Sequence, residues 1–197
     1  MTLKIVITVL LGIISGYFIL PKNIINYADY IIDVGLMLLL FFVGIDIGLN
    51  KSVFSRIKAK GIRILLVPLA IISGSIVGSA LAGLILKLPF NEAGAIGAGL
   101  GWYSLSSILI ASYSNELSAL AFISNVIREL IAIITIPLIA KRIGFIEAIA
   151  PAGATAMDTS LPIISKSTDS EIALIAFITG AICTFAVPIL VPFILNL

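Results

Sequence analysis

Five apolar runs, at residues 3–20, 30–49, 62–86, 117–140 and 171–195, each come close to or exceed the roughly 20 residues that a helix needs to cross a bilayer core. Backbone N–H and C=O groups cannot be left facing hydrocarbon, so each run is expected to be helical. Composition removes the soluble alternative. The chain is 60% hydrophobic and 11% charged, against roughly 25% charged residues in an ordinary soluble domain. The fold class is therefore an all-α integral membrane protein. Lys4 and the apolar run to Leu20 have the outline of a signal peptide, but no small-x-small pattern precedes Pro21, so a retained first span is expected.

Two further apolar stretches do not fit this pattern. Residues 93–111 and 144–165 are rich in Gly, Ala, Ser and Thr, and the second contains Pro151 and Pro162. Charge suggests how they run. Lys51, Arg56, Lys58, Lys60 and Arg63 crowd one short loop without an acidic residue, which the positive-inside rule places in the cytoplasm. Lys141 and Arg142 belong on the same side, so an even number of crossings separates them from Arg63. Runs 62–86 and 117–140 already supply two. Segment 93–111 is then expected to enter from outside and return there, and Lys166 favours a return of 144–165 to the cytoplasm. The expectation is about five transmembrane helices plus two broken or re-entrant segments, with the N-terminus inside and the C-terminus outside. Full crossing by both segments, giving seven spans, is the alternative. The chain reads as one domain, 1–197, with a three-span unit at 1–86 and a substrate-pathway unit at 87–197. Gly44 with Gly48, and Gly74 with Gly78, are small-xxx-small pairs that suit close helix packing.

Several function classes are excluded by what the chain contains. A net charge of +2, with basic residues grouped in loops, does not suit nucleic acid. The chain has no His, so neither a histidine metal site nor a histidine proton switch is available. Cys183 is the sole cysteine; it permits no internal disulfide and reads as a packing residue. The sequence offers no nucleophile–base pair, metal cluster or nucleotide loop, so an enzyme is not expected, nor a cofactor or metal.

Charges inside the spans carry the chemistry. An ionised side chain at mid-bilayer costs about 2.5–3.5 kcal/mol on insertion scales. Arg128 and Glu129 stand near the middle of run 117–140 and are not expected to face lipid. Asn125, four residues before Glu129, shares its helix face. Arg128 points roughly 100° away round the helix, so each charge can reach a partner elsewhere. Asp158 is the candidate partner. It lies in PAGATAMDTSLP, 151–162, where Pro162 and the residue before it oppose a continuous helix. Thr155 and Thr159 add hydroxyls. Irregular backbone at membrane depth survives where it lines a cavity or is buried in protein, and the helix ends at such breaks offer oriented dipoles. The N–H end suits a substrate carboxylate, and the carbonyls and Asp158 suit an ammonium. The second break is GAIGAGLGWYSLSS, 94–107, where Gly97, Gly99 and Gly101 oppose a stable helix. Trp102 and Tyr103 read either as interfacial anchors or as an aromatic face for a cation; in the second case Ser104, Ser106 and Ser107 line the path. A structural alternative stands beside this reading, in which Arg128, Glu129 and Asp158 form an ion network that locks helices and binds nothing. Asp33 and Asp46 fall near helix ends and read as interfacial.

At these motifs the chain resembles the lysine exporter LysO family. The matching pieces are GAGLGWYSLS at 97–106, the Arg128–Glu129 pair with the apolar run to Pro137, and GATAMDTSLP at 153–162. The resemblance implies that Glu129 and Asp158 are the membrane-embedded acidic pair needed for lysine export. Full-length members carry an additional N-terminal hydrophobic portion of several spans. The chain thus looks like the C-terminal subunit of a split exporter, with a separate N-terminal hydrophobic subunit as partner. The expected function is a secondary transporter of the inner membrane that exports L-lysine in exchange for protons. The expected partners are L-lysine, protons and the lipid bilayer, with a homo-oligomer left open. A cation/proton antiporter, or a non-transporting structural subunit, are the alternatives.

Overall fold

The computed structural model describes residues 61–197, residues 15–19 and isolated positions elsewhere between 7 and 49. Runs 3–20 and 30–49, with Gly44, Gly48, Asp33 and Asp46, lie largely outside the described residues, as does the basic loop at 51–60. Among the described residues every regular element is helical.

Among the described residues three helices are long and apolar enough to cross a membrane: α1 (Leu66–Leu86), α4 (Asn115–Arg142) and α6 (Ser170–Leu195). At 1.5 Å per residue the shortest spans about 31 Å, the thickness of a bilayer core. Each coincides with an expected run, and their ends have identifiable causes. Ser114 caps α4 by accepting from Leu117 N–H at 3.2 Å, Glu116 stands in the first turn, and Lys141 and Arg142 in the last, where each charge complements the helix dipole. Asp169 caps α6 by accepting from Ile172 N–H at 2.9 Å. A tight turn, Gly61–Leu65, leads into α1, which ends where Lys87 adopts a left-handed φ of 59°.

Between α1 and α4 lie two short helices, α2 (Phe90–Ala98) and α3 (Tyr103–Ala111), separated by a break at 99–102. The helix α2 runs through Gly94 and Gly97, further than the glycine spacing predicts. Tertiary contact explains this: α2 lies close against α1, with Ser75 Oγ donating to Gly97 O at 2.7 Å. The chain breaks instead at Leu100 and Gly101, with φ of 51° and 98°. From there α3 packs back along α4, and Ser118 Oγ donates to Ser107 O at 2.8 Å. Tyr113 donates its hydroxyl to Glu92 at 3.1 Å, so both ends of segment 90–113 lie at one end of the bundle. The neighbouring carboxylate also holds the exposed Tyr113 phenol above its ordinary pKa, through that hydrogen bond and its negative charge. The segment dips in and returns.

The second irregular stretch joins α4 to α6 through tight turns at Glu147–Ile149 and Gly153–Met157 and the short helix α5 (Leu161–Ser167). Asn91 Nδ2 donates to Leu195 O at 3.2 Å, so the end of α6 sits with residue 91, near the start of α4. The start of α6 therefore sits with the end of α4. Segment 143–169 begins and finishes at the opposite end of the bundle from segment 90–113. Two hairpins thus enter from opposite ends, and their tips meet where Ala154 N–H donates to Leu100 O at 2.9 Å. Gly153 has a φ of 60° there, and a side chain would run into Leu100 O and the Arg128 guanidinium. Leu100 at this crossing is fully buried, in one core cluster with Ile136, Ile149, Ile164, Ile175 and Val187.

Candidate functional site

Arg128 is the fourteenth of the 28 residues of α4, so Glu129, the next residue, lies about 20 Å along the helix from either end. Beside it the two hairpin tips line a half-open cavity of about 260 Å³. The first tip contributes Gly101, Trp102, Tyr103 and Ser104; the second contributes Ala154, Thr155, Met157, Asp158 and Thr159; Glu129 and Thr184 complete the wall from α4 and α6.

Thr159 ties the two carboxylates together. Its hydroxyl donates to Glu129 Oε1 at 2.6 Å, while its backbone N–H donates to Asp158 Oδ1. The same hydroxyl lies 3.4 Å from Asp158 Oδ1. Both acids are half-buried and border the same space.

Asn125, one turn before Glu129, has a different task. It is buried, at 3% exposure. Its amide donates to Ile96 O at 3.3 Å and Ala121 O at 2.9 Å, and its oxygen accepts from Gly101 N–H at 2.7 Å. One side chain thereby satisfies backbone groups on both sides of the α2–α3 break, where the helical ladder is interrupted. Asn125 holds the first tip in place without lining the cavity. Ser106 is likewise buried and turned to Tyr103 O at 3.3 Å.

Arg128 faces elsewhere. Its Nε donates to Pro151 O at 3.1 Å and a terminal nitrogen to Ser75 Oγ at 2.6 Å. It borders an open groove of about 460 Å³ along α1, with Gly74, Ser75, Gly78 and Ser79. The expectation that Arg128 reaches Asp158 is replaced by this pairing with neutral oxygens, because the crossing of the tips stands between them. Among the described residues nothing lies within 4 Å of a side chain placed at Gly74 or Gly78.

Seven of the ten sequence candidates therefore line one cavity: Glu129, Asp158, Trp102, Tyr103, Ser104, Thr155 and Thr159. Trp102 and Tyr103 line the cavity beside Glu129, near the middle of α4, and Tyr103 packs edge-on against Phe122 with ring centres 5.4 Å apart. Thr155 spends its hydroxyl on the turn, bonding to Ala152 O at 2.9 Å and sharing a bond with Ser160 at 2.8 Å. Sequence reasoning missed Met157 and Thr184, which face each other at 3.6 Å. A polar Thr184 within an apolar span was a usable signal; Met157 gave none.

A profile of the lysine exporter LysO family matches residues 6–195. The Escherichia coli K12 protein named lysine exporter LysO is 36% identical over 159 residues, covering 80% of this chain and 52% of that protein. A Haemophilus influenzae protein named for a proposed role in lysine export is 30% identical over 186 residues, 94% of this chain and 93% of that one. The chain thus spans about half the length of the first relative and nearly all of the second. No solved structure matches the chain. With its motifs at the crossing of the two hairpins and a profile match from end to end, the chain belongs to the lysine exporter LysO family.

Proposed function

We propose that this protein exports L-lysine from the cytoplasm in exchange for protons, with Glu129 and Asp158 as the acidic pair that takes them in turn. The observation that carries this reading is the pair itself: two carboxylates held by one threonine, bordering a cavity at mid-depth, while the nearby Arg128 is bonded elsewhere. Such a cavity attracts cations and repels anions. Its volume of about 260 Å³ far exceeds the roughly 30 Å³ that a water occupies in the liquid, which favours an organic cation over a bare metal ion. The names of the relatives supply the particular cation.

Lysine carries two ammonium groups and one carboxylate. Moving its net positive charge outward against an inside-negative potential costs about 2.3 kcal/mol per 100 mV, so export needs coupling. A proton entering on a carboxylate displaces the ammonium held there. With no histidine in the chain, the carboxylates are the groups suited to that exchange. The aligned region leaves about half of the Escherichia coli relative uncovered, and a second hydrophobic chain supplying the remaining spans belongs to the same reading.

Replacing Glu129 with Gln or Asp158 with Asn should abolish lysine efflux from loaded cells while membrane abundance stays near normal. Efflux retained in both variants would defeat the assignment. Equal loss of abundance and efflux would favour a structural subunit.

A further inference from the structure

A primary ammonium has three N–H donors and binds best where three acceptors converge. The cavity shows two carboxylates, and between them a hydroxyl whose single proton is already committed. At 2.6 Å, Glu129 Oε1 takes that proton. The contact to Asp158 Oδ1, at 3.4 Å, is too long to compete for it. Asp158 Oδ1 is served by the backbone N–H of Thr159 instead. The hydroxyl oxygen therefore keeps its lone pairs for an incoming donor.

We propose that Thr159 is a specificity-determining residue: its Oγ is the third acceptor, after Glu129 and Asp158, of a tripod that selects a primary ammonium over a guanidinium. This rests on the cavity being an amino-acid site, and it adds a reason for selectivity. A guanidinium is planar and pairs side-on with the two oxygens of one carboxylate, so it has little use for a hydroxyl out of that plane. Loss of the hydroxyl should weaken lysine binding far more than arginine binding. It should also free Glu129 Oε1, which either cation can then use, so the difference between the two cations reads the lost acceptor.

The test uses everted vesicles from the native host, with the gene at its own locus, and measures the KM for lysine and the inhibition by arginine. Thr159→Val should raise the lysine KM roughly tenfold, the scale of one hydrogen bond to a charged group, and reduce the preference for lysine over arginine by a similar factor. Thr159→Ser, which restores the hydroxyl, should stay within about twofold of the unsubstituted protein. If the valine variant fails to reach the membrane, Thr159→Cys takes its place, since a thiol is a weak acceptor. An unchanged preference in the hydroxyl-free variant overturns the tripod while lysine export stands. Absence of saturable lysine transport by the unsubstituted protein overturns the parent reading, and the tripod falls with it.

Discussion

Gly153 shows how much the site depends on single positions. It combines a left-handed backbone with close contact to Leu100 O and the Arg128 guanidinium. An L-residue in that conformation costs roughly 1–2 kcal/mol before any collision. Gly153→Ala should therefore lower the melting temperature of the purified protein, and it should do so more than Gly78→Ala, where a methyl group meets no atom of the described residues within 4 Å. Equal melting temperatures would show that the crossing tolerates a side chain. Arg128 illustrates the same economy. Its charge is unfavourable at mid-bilayer, yet its donors fasten the second hairpin to α1 through Pro151 O and Ser75 Oγ. Neither neighbour was recognisable from its sequence position, because 23 and 53 residues separate them from Arg128.

At the level of elements, the hairpins are the part of the fold that sequence reasoning defined only in outline. The long helices α1, α4 and α6 were legible, since apolar length alone dictates them and caps trim only their ends. The breaks were legible as regions, because Gly and Pro mark them. Their positions were not: α2 continues through Gly94 and Gly97 since packing against α1 outweighs the weak helix preference of glycine. Asn125 was visible as a polar residue on the Glu129 face, but its role was not, since Ile96 and Gly101 come to it only through the fold. Removing it tests the difference. Asn125→Ala leaves the buried Gly101 N–H without its partner, at about 1–3 kcal/mol, while Ile96 O still accepts from Gly99 N–H at 3.2 Å. Thermal stability should fall by several degrees and efflux with it. Asn125→Asp, which can still accept from Gly101 N–H, should not recover stability, because it cannot donate to Ile96 O and brings a charge. A melting temperature unaffected by Asn125→Ala would remove the latch.

For the whole molecule, the hairpin geometry makes a prediction about sidedness. Residues 88, 113 and 196 should react with a membrane-impermeant thiol reagent from one side of the membrane, and residues 144 and 169 from the other. Single cysteines at these sites, in a Cys183→Ala background, check this with right-side-out and everted vesicles. The positive-inside rule assigns the second group to the cytoplasm. Labelling of residues 88 and 113 from opposite sides would mean that segment 90–113 crosses fully. The acidic pair, the aromatic tip and the threonines then belong to a chamber reached through one hairpin from each side.

The backbone hydrogen bond between Ala154 and Leu100 joins two hairpins that enter the bundle from opposite ends. A full-length helix meets a thinner or thicker bilayer by tilting as one rigid rod. Two hairpins that enter from opposite ends and meet at their tips would answer the same change where they touch. A thinner or thicker bilayer should therefore act on the shape of the chamber as well as on the tilt of the long helices.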